Sequence, residues 1–274
     1  MTEIIKHSCW ILTDGKPGME NQCLGLAEAI GLNIQIKRIY PRAPWRWLPP
    51  TLWLAPLSSL GPDSDQIIPP WPKLLISSGR MSVRPAMKIK KLSRGFTFGV
   101  HIQNPGVPSK YFDLIIPPKH DGLTGKNIIS TTGSLHRVTP NLMSQAAKKF
   151  ETETKSLPRP LVAVLVGGSN KTYHFGVKEA ENLGNKLSHL AENGAGILLT
   201  SSRRTGKKNE KILKDSLKKH RSIVWDGLPP NPYFGFLGLA DAIIITSDSV
   251  SMTSEAISTG KPVYVFDLPG GNNK

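Results

Sequence analysis

The sequence is poor in cysteine and has no long hydrophobic run. Its two cysteines, Cys9 and Cys23, cannot form the disulfide framework of a small secreted domain, and no group of histidines and cysteines has zinc-ligand spacing. No apolar stretch approaches the roughly 20 residues of a membrane-spanning helix, and the first residues lack the apolar core of a signal peptide. We therefore predict reduced, buried thiols, no metal site and a cytoplasmic protein, and leave open a peripheral location at the inner face of the membrane.

Acidic residues are also scarce, with 20 Asp and Glu against 35 Lys and Arg and a net charge of +15. This excess favours anionic partners, namely nucleic acid, a phosphorylated small molecule or an anionic membrane surface. The sequence has no zinc finger, no basic zipper and no aromatic signature of a common RNA-binding sheet, which argues against nucleic acid. Arg80, Arg84 and Lys88 recur at four-residue spacing and predict one basic helical face, either solvated or anion-binding.

In the second half, short β-branched or aliphatic runs alternate with helical stretches, which is typical of a parallel sheet covered by helices on both faces. The predicted strands cover residues 161–166, 196–201, 222–225, 242–246 and 262–266. The predicted helices cover residues 177–192, 207–219, 231–240 and 250–258. Five such strands predict a Rossmann-like domain.

The first half repeats this pattern less regularly. Its predicted strands cover residues 8–13, 33–39, 73–78, 96–102, 112–116 and 126–131, and its predicted helices cover residues 19–30 and 82–92. Prolines within 140–160 end a helix and precede the next strand, so we place the hinge there. We predict two doubly wound, Rossmann-like α/β domains, 1–145 and 158–274, that face each other across a cleft. Ligands of open α/β sheets lie beyond the carboxyl ends of the strands.

Residues 40–72 interrupt the pattern with nine prolines and four tryptophans, a composition that excludes a regular helix or a central strand throughout. Tryptophan and arginine alternate in the run from Pro44 to Trp47 (PWRW). This run suits a membrane interface, where an indole lies at headgroup level and a guanidinium meets phosphate. The alternative is that the tryptophans fold back onto the core.

Polar loops follow several of the predicted strands. Those in the second half contain Gly167, Gly168, Ser169, Lys171, Arg203, Arg204, Ser249, Ser251 and Thr253. Paired glycines let a ligand approach the backbone, and guanidinium groups bind a diphosphate through paired hydrogen bonds. Hydroxyl groups at the start of a helix suit a phosphate, and Glu255, further along that helix, can reach a ribose diol. Plain turns and helix capping are the alternatives.

The loop after the first strand runs from Thr13 to Gly18 (TDGKPG) and opens a helix. Free amides at that helix start, together with Lys16, suit an anion. The loop has neither the Walker A spacing nor the GxGxxG of a dinucleotide loop, which argues against an ATPase or a dehydrogenase. A plain turn is the alternative.

Four long runs carry a resemblance to a known family. They are LTDGKPGMENQCLGLAEAIGL, HIQNPGVPSKYFDLIIPPKHD, TSSRRT and NPYFGFLGLADAIIITSDSVSMTSEAISTGKPVYVF. Together they resemble the ELM1-like family, which is named for a plant mitochondrial fission factor, over residues 10–271. The stretch from Ala242 to Phe266 is also similar to the donor domain of GT-B glycosyltransferases, with its hydroxyl-rich turn, helix glutamate and Gly-Lys-Pro strand.

The resemblance to GT-B donor sites implies that a nucleotide-sugar binds in the cleft between the domains. It places Glu255 on the ribose hydroxyls, Arg203 on the diphosphate and the loop from Trp225 to Tyr233, including Asn231, beside the base. It also places three hydroxyl groups near the diphosphate, those of Ser249, Ser251 and Thr253. Asp248 departs from the glycine-rich turn of many such enzymes and puts an anion where a phosphate would lie.

The implied reaction is a metal-independent glycosyl transfer that uses the nucleotide-sugar as substrate and needs no cofactor. A general base would come from the first domain, and the candidates are Asp14, His101, His120 and Asp121. Of these, His120 is favoured together with Asp121, because an adjacent carboxylate raises the basicity of a histidine. The family name supports an alternative, a non-catalytic, membrane-associated recruiting or scaffold protein.

Overall fold

The computed structural model describes residues 8–271. The chain divides into two compact units, of which the first ends at Arg137 and the second begins at Val138. Each unit contains one sheet of five parallel strands with helices packed against it. Within the described residues, no helix is both long enough and apolar enough to cross a membrane.

Unit 1 has a sheet in the order β2-β1-β3-β4-β5. Its strands are β1 (Ser8–Thr13), β2 (Asn33–Arg38), β3 (Leu74–Ser78), β4 (Phe98–Ile102) and β5 (Leu114–Ile116), and its helices are α1 (Pro17–Ile30) and α2 (Val83–Leu92). Pro17 occupies the first turn of α1, where a missing N–H is tolerated, and Gly31 ends the helix in the left-handed conformation with φ of 74°.

The strand predicted over 126–131 is not formed, and this part of the prediction was wrong. The Ile115 N–H donates to the Asn127 carbonyl at 2.9 Å, and the Ile115 carbonyl accepts from the Ile129 N–H at 3.0 Å. The next donor of such a ladder would be Pro117, which has no N–H. The segment therefore makes only isolated bridges to the chain around β5.

Separate apolar clusters cover the two faces of the unit 1 sheet. Trp10 and Leu75 pack with α2 on one face, and Cys9 and Ile76 pack with α1 on the other. Cys9 and Cys23 are free and buried, which confirms the prediction for both cysteines. Burial raises the pKa of the Cys9 thiol to about 12, so this thiol stays protonated at neutral pH.

The insertion 40–72 contains irregular structure and one short 3₁₀ turn, Pro50–Leu52. Trp53 is buried, and Trp71 packs edge-on against the β1 indole with ring centroids 6.1 Å apart. Trp47, in contrast, is 66% exposed. Some tryptophans of the insertion thus fold back onto the core, whereas one is displayed at the surface.

Unit 2 has a sheet in the order β10-β9-β6-β7-β8. Its strands are β6 (Leu161–Val166), β7 (Gly196–Ser201), β8 (Ser222–Val224), β9 (Ala242–Thr246) and β10 (Val263–Phe266). Its helices are α3 (Pro140–Lys148), α4 (Glu151–Thr154), α5 (Val177–Glu192), α6 (Lys207–Leu217), α7 (Tyr233–Leu239) and α8 (Val250–Ile257). β6 is buried along its whole length, as its unbroken apolar run predicts. The prediction of an α/β protein with two Rossmann-like, doubly wound units is confirmed.

The segment 140–160, where we expected the hinge, carries α3 and α4 and lies within unit 2. α3 packs closely on α7, because Gly238 lets the α7 backbone approach the Met143 carbonyl. Phe150, just after α3, stacks edge-on against Phe236 of α7 with centroids 5.9 Å apart. These contacts explain why the division between the units falls before α3.

Candidate functional site

The predicted loops of unit 2 meet at one edge of its sheet. The chain leaves β6 toward β7 and β8 on one side and later returns to β9 and β10 on the other. The loops after β6 and β9 therefore adjoin at a topological switch point, the place where open α/β sheets bind ligands. The loop after β7 lies at the same edge, since β7 is parallel to β6 and paired with it.

Asp248 connects these three loops. Its side chain is fully buried, and its Oδ2 accepts from the Gly168 N–H at 3.0 Å and lies 2.7 Å from a guanidinium nitrogen of Arg204. Its Oδ1 accepts from the Thr246 hydroxyl at 2.6 Å. The anion that the sequence places at this turn is thus bound by the protein's own donors.

The paired glycines allow the loops to pack against each other. A side chain at Gly167 would overlap the Asp248 carboxylate, and one at Gly168 would overlap the Arg204 backbone. Ser169, the next residue, accepts a hydrogen bond from the Phe175 N–H at 2.9 Å and thereby closes its own loop. The absence of side chains at the glycines is therefore already required by protein contacts.

The two neighbouring arginines differ in what they contact. Arg204 pairs with Asp248 and also donates to the Gly168 carbonyl at 3.2 Å. Arg203 is exposed, and within residues 8–271 its guanidinium has no ion-pair partner. Lys171 is likewise exposed on the loop after β6. Arg203 and Lys171 are two cations of this edge that are available to a ligand.

The hydroxyl groups at the start of α8 serve the helix itself. The Ser249 Oγ accepts from the Met252 N–H at 3.3 Å and caps the helix, and the Thr253 hydroxyl donates to the Ser249 carbonyl at 2.9 Å. Ser251 is half-buried in the first turn. The capping alternative thus accounts for Ser249, and a phosphate at this helix start stays a prediction.

Glu255 is enclosed rather than solvent-exposed. Glu255 is 5% exposed, and its Oε2 accepts a hydrogen bond from the Tyr233 hydroxyl of α7 at 2.5 Å. Burial raises the pKa of Glu255 to about 7, although the Tyr233 hydrogen bond acts in the opposite direction. Burial also raises the pKa of Tyr233, so its hydroxyl remains a donor. The carboxyl group is therefore held in one orientation and changes its charge near neutral pH.

The loop between β8 and α7 is shaped by its own polar side chains. Asn231 Oδ1 accepts from the Tyr233 N–H at 3.0 Å, and the Trp225 indole donates to the Leu228 carbonyl at 2.6 Å. Trp225 lines a groove of about 410 Å³ between α6 and the strands β7 and β8. None of the predicted donor-binding residues lines this groove. The structure thus places Asn231 beside Tyr233, at the start of α7.

In unit 1 the candidate general bases do not form one group. The Asp14 carboxylate follows β1 and lies 2.5 Å from the Lys16 ammonium. His120 and Asp121 follow β5, with 3.7 Å between Nε2 and Oδ1, and the His120 side chain is 61% exposed. β3 and β4 lie between β1 and β5, so the two places are roughly 14 Å apart across the sheet.

His101 lies in the interior of unit 1 and not at its edge. The residue is 1% exposed, its Nδ1 lies 2.9 Å from the Ser77 hydroxyl, and its ring packs on Phe112. Burial lowers the pKa of His101 to about 3. His101, one of the four candidate bases, is therefore a neutral, buried ring inside unit 1, unlike the exposed His120.

The sequence did not indicate the contacts of two residues near the loop edge of unit 2, Tyr233 and Thr246. Tyr233 contacts Glu255 across 22 positions of chain, and no local pattern indicates that pairing. Thr246 ends β9 and holds Asp248, but it reads as an ordinary strand residue in the run AIIIT. An aromatic hydroxyl at the start of a helix that precedes β9 is the only signal the sequence offers for Tyr233.

Comparison with known proteins identifies relatives over nearly the whole chain. The family model described as mitochondrial fission ELM1 matches residues 17–274. The mitochondrial fission protein ELM1 of Arabidopsis thaliana is 28% identical, over 93% of this chain and 77% of that protein. An uncharacterized protein of Rickettsia prowazekii is 30% identical, over 74% of this chain and 66% of that protein.

Solved structures of low sequence identity share the fold. The UDP-GlcNAc 2-epimerase of Neisseria meningitidis, bound to UDP-GlcNAc, has a TM-score of 0.53 at 15% identity, over 94% of this chain and 82% of that one. The MnaA–UDP structure of S. aureus has a TM-score of 0.55 at 14% identity, over 94% of this chain and 78% of that one. The likeness shows a GT-B-like fold.

Proposed function

The chain belongs to the mitochondrial fission ELM1 family, and from this premise we propose that unit 2 binds a nucleotide-sugar at the switch point between β6 and β9. The observation that carries the proposal is the buried Glu255 carboxyl group, which the Tyr233 hydroxyl holds in a fixed orientation. Glu255 belongs to α8, the helix that follows the loop after β9. An oriented carboxylate accepts hydrogen bonds from a ribose diol without first having to be ordered.

The exposed cations supply the remaining part of such a site. Arg203 binds the diphosphate and Lys171 neutralises it from the neighbouring loop, because neither is engaged with the Asp248 carboxylate. Asn231, at the start of α7, lies next to the residue that holds Glu255 and faces the base. The role of Arg204 is to fix Asp248 and the loop after β6, so it acts on the ligand through that loop.

The proposed reaction is displacement at the anomeric carbon. An acceptor hydroxyl oxygen forms the new bond to that carbon, the bond to the diphosphate oxygen breaks, and the nucleoside diphosphate leaves with the bonding electron pair. Arg203 and Lys171 stabilise the charge that develops on the leaving group. The acceptor proton passes to a general base, for which Asp14 and His120 with Asp121 stay the two candidates from the sequence.

The relatives of known structure support the choice of ligand. One of them is bound to UDP-GlcNAc and another to UDP, and both share the fold of this chain. A uridine nucleotide is therefore the first ligand to test.

Thermal unfolding in the presence of UDP and UDP-GlcNAc tests the proposal. A ligand at a hundred times its Kd stabilises the folded state by about 2.7 kcal/mol, which gives a clear rise in Tm. We expect Glu255→Gln to remove the rise and Glu181→Gln, an exposed glutamate of α5, to retain it. An unchanged rise in Glu255→Gln would show that the ligand lies elsewhere, and no rise with any nucleotide-sugar in the wild type would reject the proposal.

One observation favours a second candidate, a non-catalytic recruiting or scaffold protein that associates with membranes. The Gly168 N–H and the Arg204 guanidinium, which would suit a phosphate, are both bound to Asp248. A site in which the protein's own carboxylate occupies these donors resembles a site that no longer binds a phosphate. Absence of stabilisation by a panel of nucleotide-sugars, together with direct capture of a partner protein by the full chain, would favour this candidate.

A further inference from the structure

Three large apolar side chains lie at the surface within eight residues of the insertion. Trp47 is 66% exposed, Leu52 is 55% exposed and Leu54 is 86% exposed. We call these three residues the apolar tip. Isolated exposed apolar residues are ordinary on a protein surface, whereas grouped ones are typical of protein or membrane interaction sites.

Two arginines hold the backbone of this segment, Arg80 in the 3₁₀ turn that precedes α2 and Arg84 in the first turn of α2. Arg80 donates to the carbonyls of Arg46 and Leu48 at 2.7 Å each, and these are the residues on either side of Trp47. Arg84 donates to the carbonyl of Trp53 at 2.7 and 3.2 Å. Two of the three bases of the predicted helical face are thus used inside unit 1, and Arg80 lies before α2 and not on it.

This arrangement also orients the tip. Trp53 is 1% exposed and anchors the segment in the unit, while Leu52 and Leu54 on either side of it are displayed outward. The indole of Trp53 donates to the Leu48 carbonyl at 3.3 Å. Several carbonyls that flank the apolar tip are therefore satisfied by the protein, which lowers the cost of moving the segment into a region with little water.

Within residues 40–62, which carry the tip, all charged side chains are basic. Residues 40–62 contain no Asp or Glu, and they include Arg42 and Arg46. The Arg46 guanidinium lies over the Trp47 ring at 4.6 Å from its centroid. Both arginines are exposed. A surface that combines an indole and leucines with exposed guanidinium groups complements apolar tails beneath anionic headgroups.

We propose that the apolar tip, flanked by Arg42 and Arg46, docks unit 1 on a lipid bilayer that contains anionic phospholipids. Trp47 lies at the headgroup level, Leu52 and Leu54 enter the edge of the acyl region, and the arginines bind headgroup phosphates. The positive charge of the whole chain, +15, acts in the same direction. The surface lies in unit 1 and does not depend on the nucleotide site proposed for unit 2.

Vesicle flotation with the full chain tests this docking. We expect binding to vesicles of phosphatidylcholine with about one third phosphatidylglycerol, weaker binding to pure phosphatidylcholine, and weakening by salt. The triple variant Trp47→Ser/Leu52→Ser/Leu54→Ser should bind at least about tenfold more weakly. Arg42→Gln/Arg46→Gln should lose about fivefold per arginine. Brominated lipids in the vesicles should quench part of the tryptophan fluorescence of the bound wild type. The single variant Trp47→Phe should still bind, but this quenching should be smaller.

The matched control replaces apolar residues of similar exposure elsewhere, in Ile129→Ser/Leu228→Ser/Ile257→Ser, with 60%, 65% and 62% exposure in the wild type. Equal losses in the control and the tip variant would overturn the proposal, as would equal wild-type binding to both kinds of vesicle. The proposal would also be rejected if the wild type did not bind vesicles but formed a dimer that the tip variant abolishes. That result would assign the surface to a second copy of the chain. An unchanged Tm shows that each variant is folded, and the two arginine substitutions test the proposal without altering any apolar side chain.

Discussion

Unit 1 buries a base and unit 2 buries an acid. His101 of β4 is enclosed beside Ser77 and Phe112, and burial lowers its pKa to about 3. Glu255 of α8 is enclosed beside Tyr233, and burial raises its pKa to about 7. The cause is the same in both units, since a low-dielectric surrounding disfavours the charged form of either group. The two units should therefore respond to pH in opposite directions.

The direction for each unit follows from proton uptake by the folded and unfolded chain. Unfolded His101 binds a proton below pH 6.5 and folded His101 only near pH 3, so the contribution of His101 to the stability of unit 1 is fully present above pH 6.5 and is lost as the pH falls. Folded Glu255 keeps its proton up to about pH 7, whereas the unfolded carboxyl loses it near 4.5. The contribution of Glu255 to the stability of unit 2 is therefore fully present below pH 4.5 and is lost as the pH rises to about 7.

The largest expected effect concerns His101. Between pH 6.5 and 3 its shift corresponds to a loss of roughly 5 kcal/mol in the free energy of unfolding of unit 1. His101→Leu should remove this loss, and the Ser77 hydroxyl can still donate to the Val100 carbonyl, now at 3.1 Å. Urea unfolding at several pH values, followed by tryptophan fluorescence, measures this loss in the free energy of unfolding. The exposed His189 provides the control, since His189→Leu should keep the wild-type pH dependence.

Glu255 should produce the next largest effect, with the opposite sign. From pH 4.5 to 7 the titration of Glu255 should cost unit 2 roughly 3 kcal/mol in its free energy of unfolding, and Glu255→Gln should remove this loss. The same urea series measures it, with Glu181→Gln as the exposed control. A wild-type unit 2 that becomes more stable as the pH rises would contradict the burial of this carboxyl group.

Asp248 and Asp14 extend the comparison to charged pairs. Asp248→Ala should cost about 2 kcal/mol in the free energy of unfolding, because it removes the acceptor of Gly168, Thr246 and Arg204 from a buried place. Asp14→Ala should cost less than about 1 kcal/mol, since its Lys16 partner is largely in solvent. Chemical denaturation at one pH compares them, and equal costs would mean that the Asp248 network contributes no more than a surface pair.

Tyr233→Phe should have a smaller effect than Asp248→Ala, about 1 kcal/mol for one lost hydrogen bond. Because the Tyr233 hydroxyl lowers the pKa of Glu255, its removal should raise that pKa further. The midpoint of the unit 2 stability profile should then move to higher pH. A carbon NMR titration of the labelled glutamate carboxyl groups measures the midpoint directly, and a downward shift would show that Tyr233 does not donate to Glu255.

Much of the fold could be predicted from local patterns. The buried strands β6, β7 and β9 begin and end where the sequence predicts, because a parallel strand covered on both faces needs an unbroken apolar run. The failure at 126–131 has a local cause in Pro117 that the apolar pattern does not reveal. The boundary between the units depends on the packing of α3 against α7, which involves residues about ninety positions apart.

The candidate site could be predicted only in part. Strand ends indicate which loops adjoin, so the group formed by the loops at 167–171, 203–204 and 247–249 follows from the alternation of strands and helices. Which of two adjacent arginines faces inward does not follow, since Arg203 and Arg204 differ only in how their loop turns. Hydroxyls that cap a helix and hydroxyls that bind a ligand also look alike in sequence.

The sequence by itself determined the class of the fold, the switch-point loops and the family, because these depend on periodic burial and on long motifs read along the chain. Only the tertiary structure decided that Asp248 binds the Gly168 N–H and the Arg204 guanidinium, and that Tyr233 donates to Glu255. It also decided that Arg80 and Arg84 hold the insertion. Hydrogen bonds and burial depend on distances between residues that are far apart in the chain, and no local pattern contains those distances.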